Sequence, residues 1–397
     1  MRSSQTVSTC ETPAAIRGRH LLRVFYILIA IFYWTALYLY VPTLPTYVQS
    51  KTEDLALVGV VLSQYGLWQA FIRLPLGIAA DSLGRRKPFI VAGIVLAGLG
   101  AWLMGAAQGA GGLLVGRAVT GLAAGTWVPL TVAFSSLFPA QQTIRAAAIL
   151  TFVGSAGRMI ASGVTGSLNG LGGYVLAFNL AACAAVVALL FALPVRERSH
   201  PPRRPSLGGI GRLVTRRDVL VPSLLAAVSQ YANWAITFSF MPILAEHLGA
   251  TDITLSLLLS MHIGVVTAMI PVAAAVVPRV GARRLVYITF LLLSGGIGLG
   301  ALAPSLVWIF TAQFCLGVAQ GLGYPVLMGL SIRDVDDAGR TTAMGLHQSV
   351  YAIGMSAGPW LGGLLADALG LRLMFGTTAA ACLVAGTLLI RLLPDLF

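Results

Sequence analysis

The sequence has 397 residues, of which 57% are hydrophobic and only 10% charged. Soluble globular proteins carry about 25% charged residues, so water is not the main solvent of this chain. The formal net charge of +13 would suit a nucleic-acid partner, but the positions of the basic residues decide between nucleic acid and a membrane.

Apolar runs of about 20 residues recur along the whole chain, the length that crosses a hydrocarbon core of roughly 30 Å. Each run is expected to be a helix, because isolated strands would leave backbone amides unpaired in lipid. The fold class is therefore predicted to be an all-α polytopic membrane protein. Its twelve helices, numbered α1 to α12 in chain order, are predicted near 22–48, 55–80, 88–107, 111–137, 144–168, 172–194, 219–246, 253–277, 284–302, 305–330, 341–366 and 371–393.

The basic residues fall on one of the two alternating sets of loops. The set that includes both termini carries most of the 26 Lys and Arg residues, whereas the opposite set holds only Lys51 and Arg372. The positive-inside rule then places both termini and the linker 195–218 in the cytoplasm, with the linker against anionic lipid headgroups. Topology accounts for the charge, so no nucleic-acid partner is expected.

The second half of the chain repeats features of the first. Trp34 of α1 corresponds to Trp234 of α7, and Arg117 of α4 corresponds to Gln313 of α10. Six crossings return the chain to its starting side, so the two halves are predicted to be parallel repeats, with a solute path between them. The predicted segments are a cytoplasmic tail, an N-terminal half, the basic linker and a C-terminal half, at 1–20, 21–194, 195–218 and 219–397.

A charged motif, Gly77-Ile-Ala-Ala-Asp81-Ser-Leu-Gly84-Arg85-Arg86-Lys87, stands where α2 leaves the membrane. Asp81 could pair with a following arginine and accept a hydrogen bond from a neighbouring helix, which would latch the halves together. Gly77 would permit a close helix contact and Gly84 a tight turn. The alternative is that the basic triplet only fixes topology. The gating residues predicted here are Gly77, Asp81, Gly84, Arg85, Arg86 and Lys87.

This motif resembles the loop motif of the major facilitator superfamily, and the resemblance covers the whole chain. A second stretch in α11 resembles the superfamily's Gly-Pro-rich antiporter motif, in which small residues let helices slide past each other; its residues are Gly354, Gly358, Pro359 and Gly362. Arg117 followed by Gly121 and Gly125 resembles the arginine-bearing motif of proton-coupled antiporters. The resemblance implies alternating access and favours the twelve-helix drug/proton antiporter-like branch.

Three arginines, Arg73, Arg117 and Arg158, fall within predicted helices. A central arginine costs about 2.5 to 3.5 kcal/mol on the insertion scale, so each needs a reason to be there. None of the 13 Asp and Glu residues falls in the middle third of a predicted helix. Three arginines within the membrane and no acidic residue at the same depth favour an anionic solute. A structural role, with each arginine hydrogen-bonded to loose carbonyls, is the open alternative.

Other residues could line the path or carry a coupling proton. Aromatic and amide side chains predicted to line the cavity are Trp34, Tyr38, Tyr65, Gln230, Tyr231, Trp234, Tyr324, Gln348 and Tyr351. The candidates for proton coupling are His262, His347 and Glu246. Each of these residues could instead serve ordinary packing.

The sequence predicts a secondary active transporter that moves a small organic solute by alternating access, with proton-coupled efflux of an amphipathic or anionic compound favoured. An organic-anion importer of the same fold, a lipid translocase and a receptor without flux are the alternatives. No catalytic set, metal-ligand spacing or phosphate loop stands out, so we expect no enzyme, metal site or cofactor. The protein is predicted to be a monomer in a bacterial inner membrane, with protons and membrane lipids as its partners besides the solute.

Overall fold

The computed structural model describes the backbone of residues 13–139, 142–195, 197, 215–336 and 340–393. Most of the predicted tail 1–20 and of the basic linker 195–218 lies outside these residues. The described backbone is helical apart from short turns and contains no strand.

The first half contains α1 to α6. α1 breaks near its end and continues through a 3-10 turn into a short helix, and α4 has a second segment after Thr126. α5 and α6 are two helices separated by a kink at Gly172 and Gly173, whose backbone is not helical. The bounds are Pro13–Tyr38, Val41–Thr43 and Leu44–Gln49 for α1, Leu55–Leu83 for α2, Lys87–Gly105 for α3, Ala110–Gly125 and Trp127–Ser135 for α4, and Thr143–Ala192 for α5 with α6.

The second half contains α7 to α12. α7 repeats the broken form of α1, with a π-helical turn before its last segment. The bounds are Arg217–Ala235, Ile236–Phe240 and Met241–His247 for α7, Asp252–Val280 for α8, Ala282–Leu302 for α9, Leu306–Arg333 for α10, Arg340–Leu369 for α11 and Leu371–Arg391 for α12.

Ten helices in the described chain are long and apolar enough to cross a membrane. α5 and α6 count once among the ten, as the range Arg145–Ala192, because only a kink at Gly172 and Gly173 separates them, and α11 is not among the ten. Polar and small side chains reduce the hydropathy of α11, and this helix packs against both α2 and α7 rather than facing lipid alone. The prediction of an all-α fold with twelve crossings is confirmed.

Alternate crossings give the molecule two faces. The linker face carries the helix ends near residues 84, 139, 195, 281 and 336, and the short-loop face carries the connections near residues 51, 108, 172, 249, 304 and 370. The halves meet along two helix pairs, α2 with α11 and α5 with α8. These two pairs form the main interface between the halves.

Glycines bring the halves together near the short-loop face. A Cβ at Gly166 of α5 would lie 2.3 Å from the carbonyl oxygen of Asp252, and one at Gly59 of α2 would lie 2.3 Å from the carbonyl oxygen of Pro359. Only glycine permits such close backbone approach. The described hydrogen bonds between the two halves all lie in the region between the short-loop face and Arg73. In this conformation the halves are therefore joined on the short-loop side.

Candidate solute-binding site

Arg117 of α4 is enclosed beneath an aromatic ring. Its guanidinium carbon lies 4.2 Å from the ring centroid of Tyr65, and both side chains are only 3% exposed. Gly121 permits this arrangement, because a Cβ there would lie 2.8 Å from the carbonyl oxygen of Tyr65. Nε and Nη1 of Arg117 have no hydrogen-bond partner. A cation on a ring face inside protein is stabilised by about 2 kcal/mol, which offsets part of its burial.

Arg158 of α5 lies over two rings of α1. Its guanidinium carbon is 4.7 Å from the centroid of Trp34 and 5.6 Å from that of Tyr38. Nη2 donates to Ser155 Oγ at 2.8 Å, whereas Nε has no partner. Gly154 makes room for the indole, since a Cβ there would lie 2.7 Å from Trp34 Cδ1. Arg158 itself remains partly exposed.

Arg73 of α2 reaches across to the other half. Its Nη1 donates to the carbonyl oxygen of Gln348 at 3.5 Å, and Nη2 donates to Gln69 Oε1 at 2.5 Å. The guanidinium carbon lies 5.5 Å from the ring centroid of Tyr351. Nε has no partner, and the side chain is partly exposed.

None of these three guanidiniums pairs with a carboxylate among the side chains that the structure describes. The described ion pairs, Arg216 with Asp218 and Arg333 with Asp334, lie at the linker face. Among the groups that the structure describes, the three charges lie against ring faces and neutral oxygens. The sequence predicted both the arginines and these rings as residues of the central path, but not which ring lies against which arginine, because the partners come from separate helices.

An aromatic stack joins the halves beside these arginines. Tyr65 stacks on Trp234 at a centroid distance of 5.2 Å, and Trp234 stacks on Phe238 at 4.6 Å. Phe238 also meets Tyr38 edge to face at 6.5 Å. Phe238 was not predicted to line the site, although its spacing of four residues from Trp234 places both rings on one helix face. Trp127, 5.1 Å from Trp34, was also missed.

The second half supplies two phenols to the same region. Tyr324 of α10 and Tyr351 of α11 lie with ring centroids 5.7 Å apart. The Tyr351 ring faces Arg73, whose guanidinium carbon lies 5.5 Å from its centroid. Gln230, also predicted to line the cavity, is buried. Tyr231 is partly exposed, and its carbonyl oxygen packs against Gly358 of α11.

The candidates for proton coupling do not form one cluster. His262 of α8 is buried near the carbonyl oxygen of Gln313, with Nδ1 at 3.4 Å. His347 of α11 is fully buried; its Nδ1 is 3.1 Å from Ser223 Oγ, and its Nε2 has no partner. Glu246 is exposed at the short-loop face. Among the described residues, no group of His, Cys, Asp and Glu side chains could hold a metal ion.

The loop motif after α2 is tied to the end of α6. The Glu197 carboxylate accepts hydrogen bonds from the backbone N–H groups of Arg86 and Lys87, the shortest at 2.7 Å. Lys87 Nζ donates to the carbonyl oxygen of Leu193 at 2.6 Å. A carboxylate at the start of α3 also suits the helix dipole. Glu197 was not predicted as part of this motif, since it follows Lys87 by more than 100 residues.

The other residues of the loop motif after α2 differ in their structural surroundings. Gly84 ends α2 with φ of +63°, the left-handed conformation that a tight turn needs. Gly77 has no atom within 4 Å of its missing Cβ, so the expected close helix contact is not made in this conformation. Arg85 is exposed. The side chain of Asp81 lies outside the described residues, and the proposed latch with it.

The glycines of α11 pack on the backbone of α7. A Cβ at Gly354 would lie 2.1 Å from the carbonyl oxygen of Ala227, and one at Gly358 would lie 2.4 Å from that of Tyr231. Gly362 faces Phe240 and Ala235 of α7 at 3.2 to 3.3 Å, and Pro359 presents its carbonyl to Gly59 of α2. α11 thus contacts its own half on one side and the other half on the opposite side.

A polar cluster closes the short-loop face. Asp252 Oδ2 accepts a hydrogen bond from Asn169 Nδ2 at 2.9 Å, and the same nitrogen lies 2.9 Å from Thr43 Oγ1. Tyr174 Oη donates to Asp252 Oδ1 at 3.5 Å. The backbone N–H of Gly166 donates to Ser256 Oγ at 2.7 Å. This cluster was not predicted, because Asp252 stands at a helix end rather than in a span.

Solved structures of several transporters share this architecture. The chain is similar to a point mutant of the nucleoside transporter NupG, with a TM-score of 0.77 and 15% identity over 94% of this chain and 100% of that one. It is also similar to a POT family transporter in complex with 5-aminolevulinic acid, with a TM-score of 0.77 and 13% identity over 94% and 96%. A bacterial homologue of the lysosomal transporter Spinster, inward-facing and unoccupied, gives 0.73 and 16% over 96% and 97%. These similarities show the fold.

One curated relative aligns over a shorter stretch. The inner membrane transport protein YajR of Escherichia coli (strain K12) is 34% identical over 88 residues, which span 21% of this chain and 19% of that protein. The sequence model described as Major Facilitator Superfamily matches residues 26–227 and 223–396. Since these matches cover most of the chain, the protein belongs to the major facilitator superfamily of membrane transporters.

Proposed function

We propose that this protein is a secondary active transporter that moves a small organic solute, anionic or amphipathic, by alternating access. The observation that carries the proposal is the set of three arginines on aromatic faces between the halves, with no carboxylate partner among the described side chains. Such guanidiniums favour carboxylate, phosphate or sulfonate groups. The aromatic stack suits an apolar body of the same solute.

The conformation supports alternating access. The described polar contacts between halves lie from the short-loop face to the level of Arg73, and a solute at Arg73 and Arg158 would be shut off from that face. Movement of the solute to the other side would require the contacts at Gly166 and Asp252 to separate. A major facilitator fold works by such rocking of two halves around a central site.

The test is flux in proteoliposomes that contain the purified protein. We expect saturable uptake of an anionic aromatic solute, weaker uptake of its neutral ester, and a loss of roughly 30-fold or more in anion affinity for Arg158→Ala. Arg158→Lys should also lose much of the affinity, since an ammonium cannot reproduce the planar contact. Arg279→Gln, which removes an exposed charge at the linker face, is the control. No flux of any tested solute would contradict the proposal.

Proton-coupled efflux, as in the drug/proton antiporter-like branch, is the mode that we propose. His262 and His347 are buried titratable groups of the second half, and the His262 ring lies 6.1 Å from the ring centroid of Phe238. If either carries the proton, its Gln variant should still exchange solute for solute but lose accumulation driven by a pH gradient. Wild-type transport that ignores the gradient would exclude proton coupling, and inward accumulation would favour the organic-anion importer.

For the cell, we propose a monomer in the inner membrane with both termini and the linker 195–218 in the cytoplasm. Reporter fusions after residue 210 should then be cytoplasmic, and fusions near residues 51 and 250 external. An external signal from the linker would contradict this orientation.

A further inference from the structure

A chain of ring contacts leads from Arg117 to the second half. The guanidinium carbon of Arg117 lies 4.2 Å from the ring centroid of Tyr65, and Tyr65 stacks on Trp234 at 5.2 Å. Trp234 stacks in turn on Phe238 at 4.6 Å. Trp234 and Phe238 belong to α7, so the ring that covers a first-half arginine is backed by two rings of the other half.

The same chain returns to the first half at Arg158. Phe238 meets Tyr38 edge to face at 6.5 Å, and the guanidinium carbon of Arg158 lies 5.6 Å from the ring centroid of Tyr38. Two cations of the first half are thus linked through rings of the second half. Separation of the halves at this level therefore breaks the chain between the two cations.

The two arginines lie at different depths. With a rise of about 1.5 Å per residue, Arg117 lies about 10 Å from the first residue of α4 on the short-loop face, and Arg158 lies about 21 Å from the kink at Gly172 on the same face. Tyr65 lies about 15 Å from the first residue of α2, again on this face. Arg117 is therefore on the short-loop side of the ring that covers it, and Arg158 is on the linker side.

The two arginines also differ in access. Arg117 and Tyr65 are each 3% exposed, whereas Arg158 is partly exposed. The described hydrogen bonds between the halves lie between the short-loop face and Arg73, so this conformation is closed on that side. A solute that enters from the linker face can reach Arg158, but the Tyr65 ring shuts it off from Arg117.

Arg117 nevertheless has unused hydrogen-bonding capacity. Its Nε and Nη1 are buried without a partner, and no carboxylate among the described side chains pairs with it. Hydrogen bonds from a guanidinium to a carboxylate or phosphate are roughly twice as strong as neutral ones, so these nitrogens favour an ionised acceptor. Tyr65 and Trp234 belong to different halves, so separation of the halves on the short-loop side removes the ring that backs Tyr65 and lets Arg117 be uncovered.

We propose that Arg117 is a second binding site for the anionic group of the solute, used when the short-loop side is open. The aromatic stack is the barrier between this site and Arg158, which binds the same carboxylate, phosphate or sulfonate group when the linker side is open. This inference rests on the proposed transport function and deepens it. It assigns the two arginines to opposite sides of one barrier.

Modification of arginine by phenylglyoxal, mapped by peptide mass spectrometry on the purified full-length protein, tests the cover. In the wild type we expect Arg117 to react roughly tenfold or more slowly than Arg158, because it reacts only in the minor open population. Trp234→Ala, which removes the ring behind Tyr65, should raise the rate at Arg117 by a similar factor. Trp308→Ala, at an exposed tryptophan of α10, is the control and should leave that rate unchanged. Equal rates at the two arginines in the wild type, or no increase in Trp234→Ala, would overturn the proposal.

Protection by ligands tests anion binding in a variant that keeps the stack. Gly166→Ala should open the short-loop face and expose Arg117, because its Cβ would lie 2.3 Å from the carbonyl oxygen of Asp252. In Gly163→Ala, where the nearest atom is Ser260 Oγ at 3.2 Å, Arg117 should react as slowly as in the wild type. Equal rates at Arg117 in these two variants would contradict the link between the short-loop face and the cover.

The ligands are benzoate, benzenesulfonate and phenyl phosphate, with methyl benzoate as the neutral control. In Gly166→Ala at least one anion, at about ten times its dissociation constant, should slow modification of Arg117 roughly tenfold, since the free fraction falls as 1 + [L]/Kd. Methyl benzoate should not slow it. Protection by none of the three anions, or equal protection by methyl benzoate, would overturn the proposal.

Flux separates this inference from the proposed function. If a solute crosses the bilayer with saturation but Arg117 is never uncovered or never protected by an anion, transport stands and the second site falls. If Arg117 is uncovered and protected as expected but no solute crosses the bilayer, the second site stands and the transport function falls.

Discussion

The two halves share one fold but divide the chemistry between them. The first half contributes Arg73, Arg117 and Arg158, whereas in the second half Gln313 stands where the repeat places Arg117. Gln313 Oε1 accepts a hydrogen bond from Thr237 at 3.5 Å and needs no aromatic cover. The two halves therefore share the helix framework, while the three intramembrane arginines all lie in the first half.

The largest effect is expected when Gln313 is replaced by arginine, the residue type that stands at the corresponding position 117 of the first half. The side chain is 1% exposed, and Gln313→Arg would bury a cation for which no carboxylate partner stands among the described side chains; its neighbours are Thr237 and His262. We expect a loss of about 2.5 to 3.5 kcal/mol in the free energy of unfolding, seen as reduced yield and melting temperature. Gln313→Met, which keeps the volume and adds no charge, should cost less than about 1.5 kcal/mol.

The reciprocal change, Arg117→Gln, should be much milder. It removes the cation on the Tyr65 ring but also the cost of a buried charge, and these two effects oppose each other. A melting temperature for Gln313→Arg equal to that of Arg117→Gln would show that the halves are interchangeable at this position.

A second prediction concerns the contact between halves at Gly166. Because a Cβ there would lie 2.3 Å from the carbonyl oxygen of Asp252, Gly166→Ala should disfavour the closed short-loop face by about 1 to 3 kcal/mol. Gly163→Ala is the matched control, since the nearest atom there is Ser260 Oγ at 3.2 Å. The measurement is labelling of a single cysteine at Leu244 in a background without the four native cysteines.

Labelling at Leu244, which is buried at that face, should rise by roughly 5- to 150-fold in Gly166→Ala if the label reports the open population. Equal labelling of the Gly166 and Gly163 variants would mean that the close approach does not control opening.

The hydrogen bond between Asn169 and Asp252 should contribute less than the glycine contact. A double-mutant cycle of Asn169→Ala and Asp252→Ala should give a coupling free energy of about 1 kcal/mol, because the acceptor is a carboxylate near the surface. Asp54→Ala is the control. It removes another carboxylate on the same face, but one that accepts its hydrogen bond from the backbone N–H of Leu57 in its own helix. Additive effects of Asn169→Ala and Asp252→Ala would exclude a lock between the halves.

The smallest effect is expected at Glu197. Its carboxylate caps the start of α3, an interaction that stabilises a helix end by about 0.3 to 1 kcal/mol, so Glu197→Gln should lower the melting temperature slightly. Glu53→Gln, at an exposed site on the opposite face, should leave it unchanged. A larger loss of transport than of stability in Glu197→Gln would assign this tie a role in gating.

Much of the architecture could be predicted before the fold was seen. Helix lengths, the alternation of basic loops and the repeat all follow from local patterns, because lipid requires each crossing to be one apolar helix. The aromatic partners of the arginines could not be predicted in this way. Tyr65 lies more than 50 residues before Arg117, and Trp34 more than 120 before Arg158, so only packing of separate helices brings them together.

The sequence by itself determined a membrane protein of two six-helix halves, three intramembrane arginines and no acidic residue at depth, because composition and periodicity respond directly to the bilayer. Tertiary structure alone decided which arginines a solute can reach and which side is closed. Burial beneath Tyr65 separates Arg117 from Arg73 and Arg158, and contacts at Gly166 and Asp252 close one face. Both depend on the distances between helices, which no local pattern records.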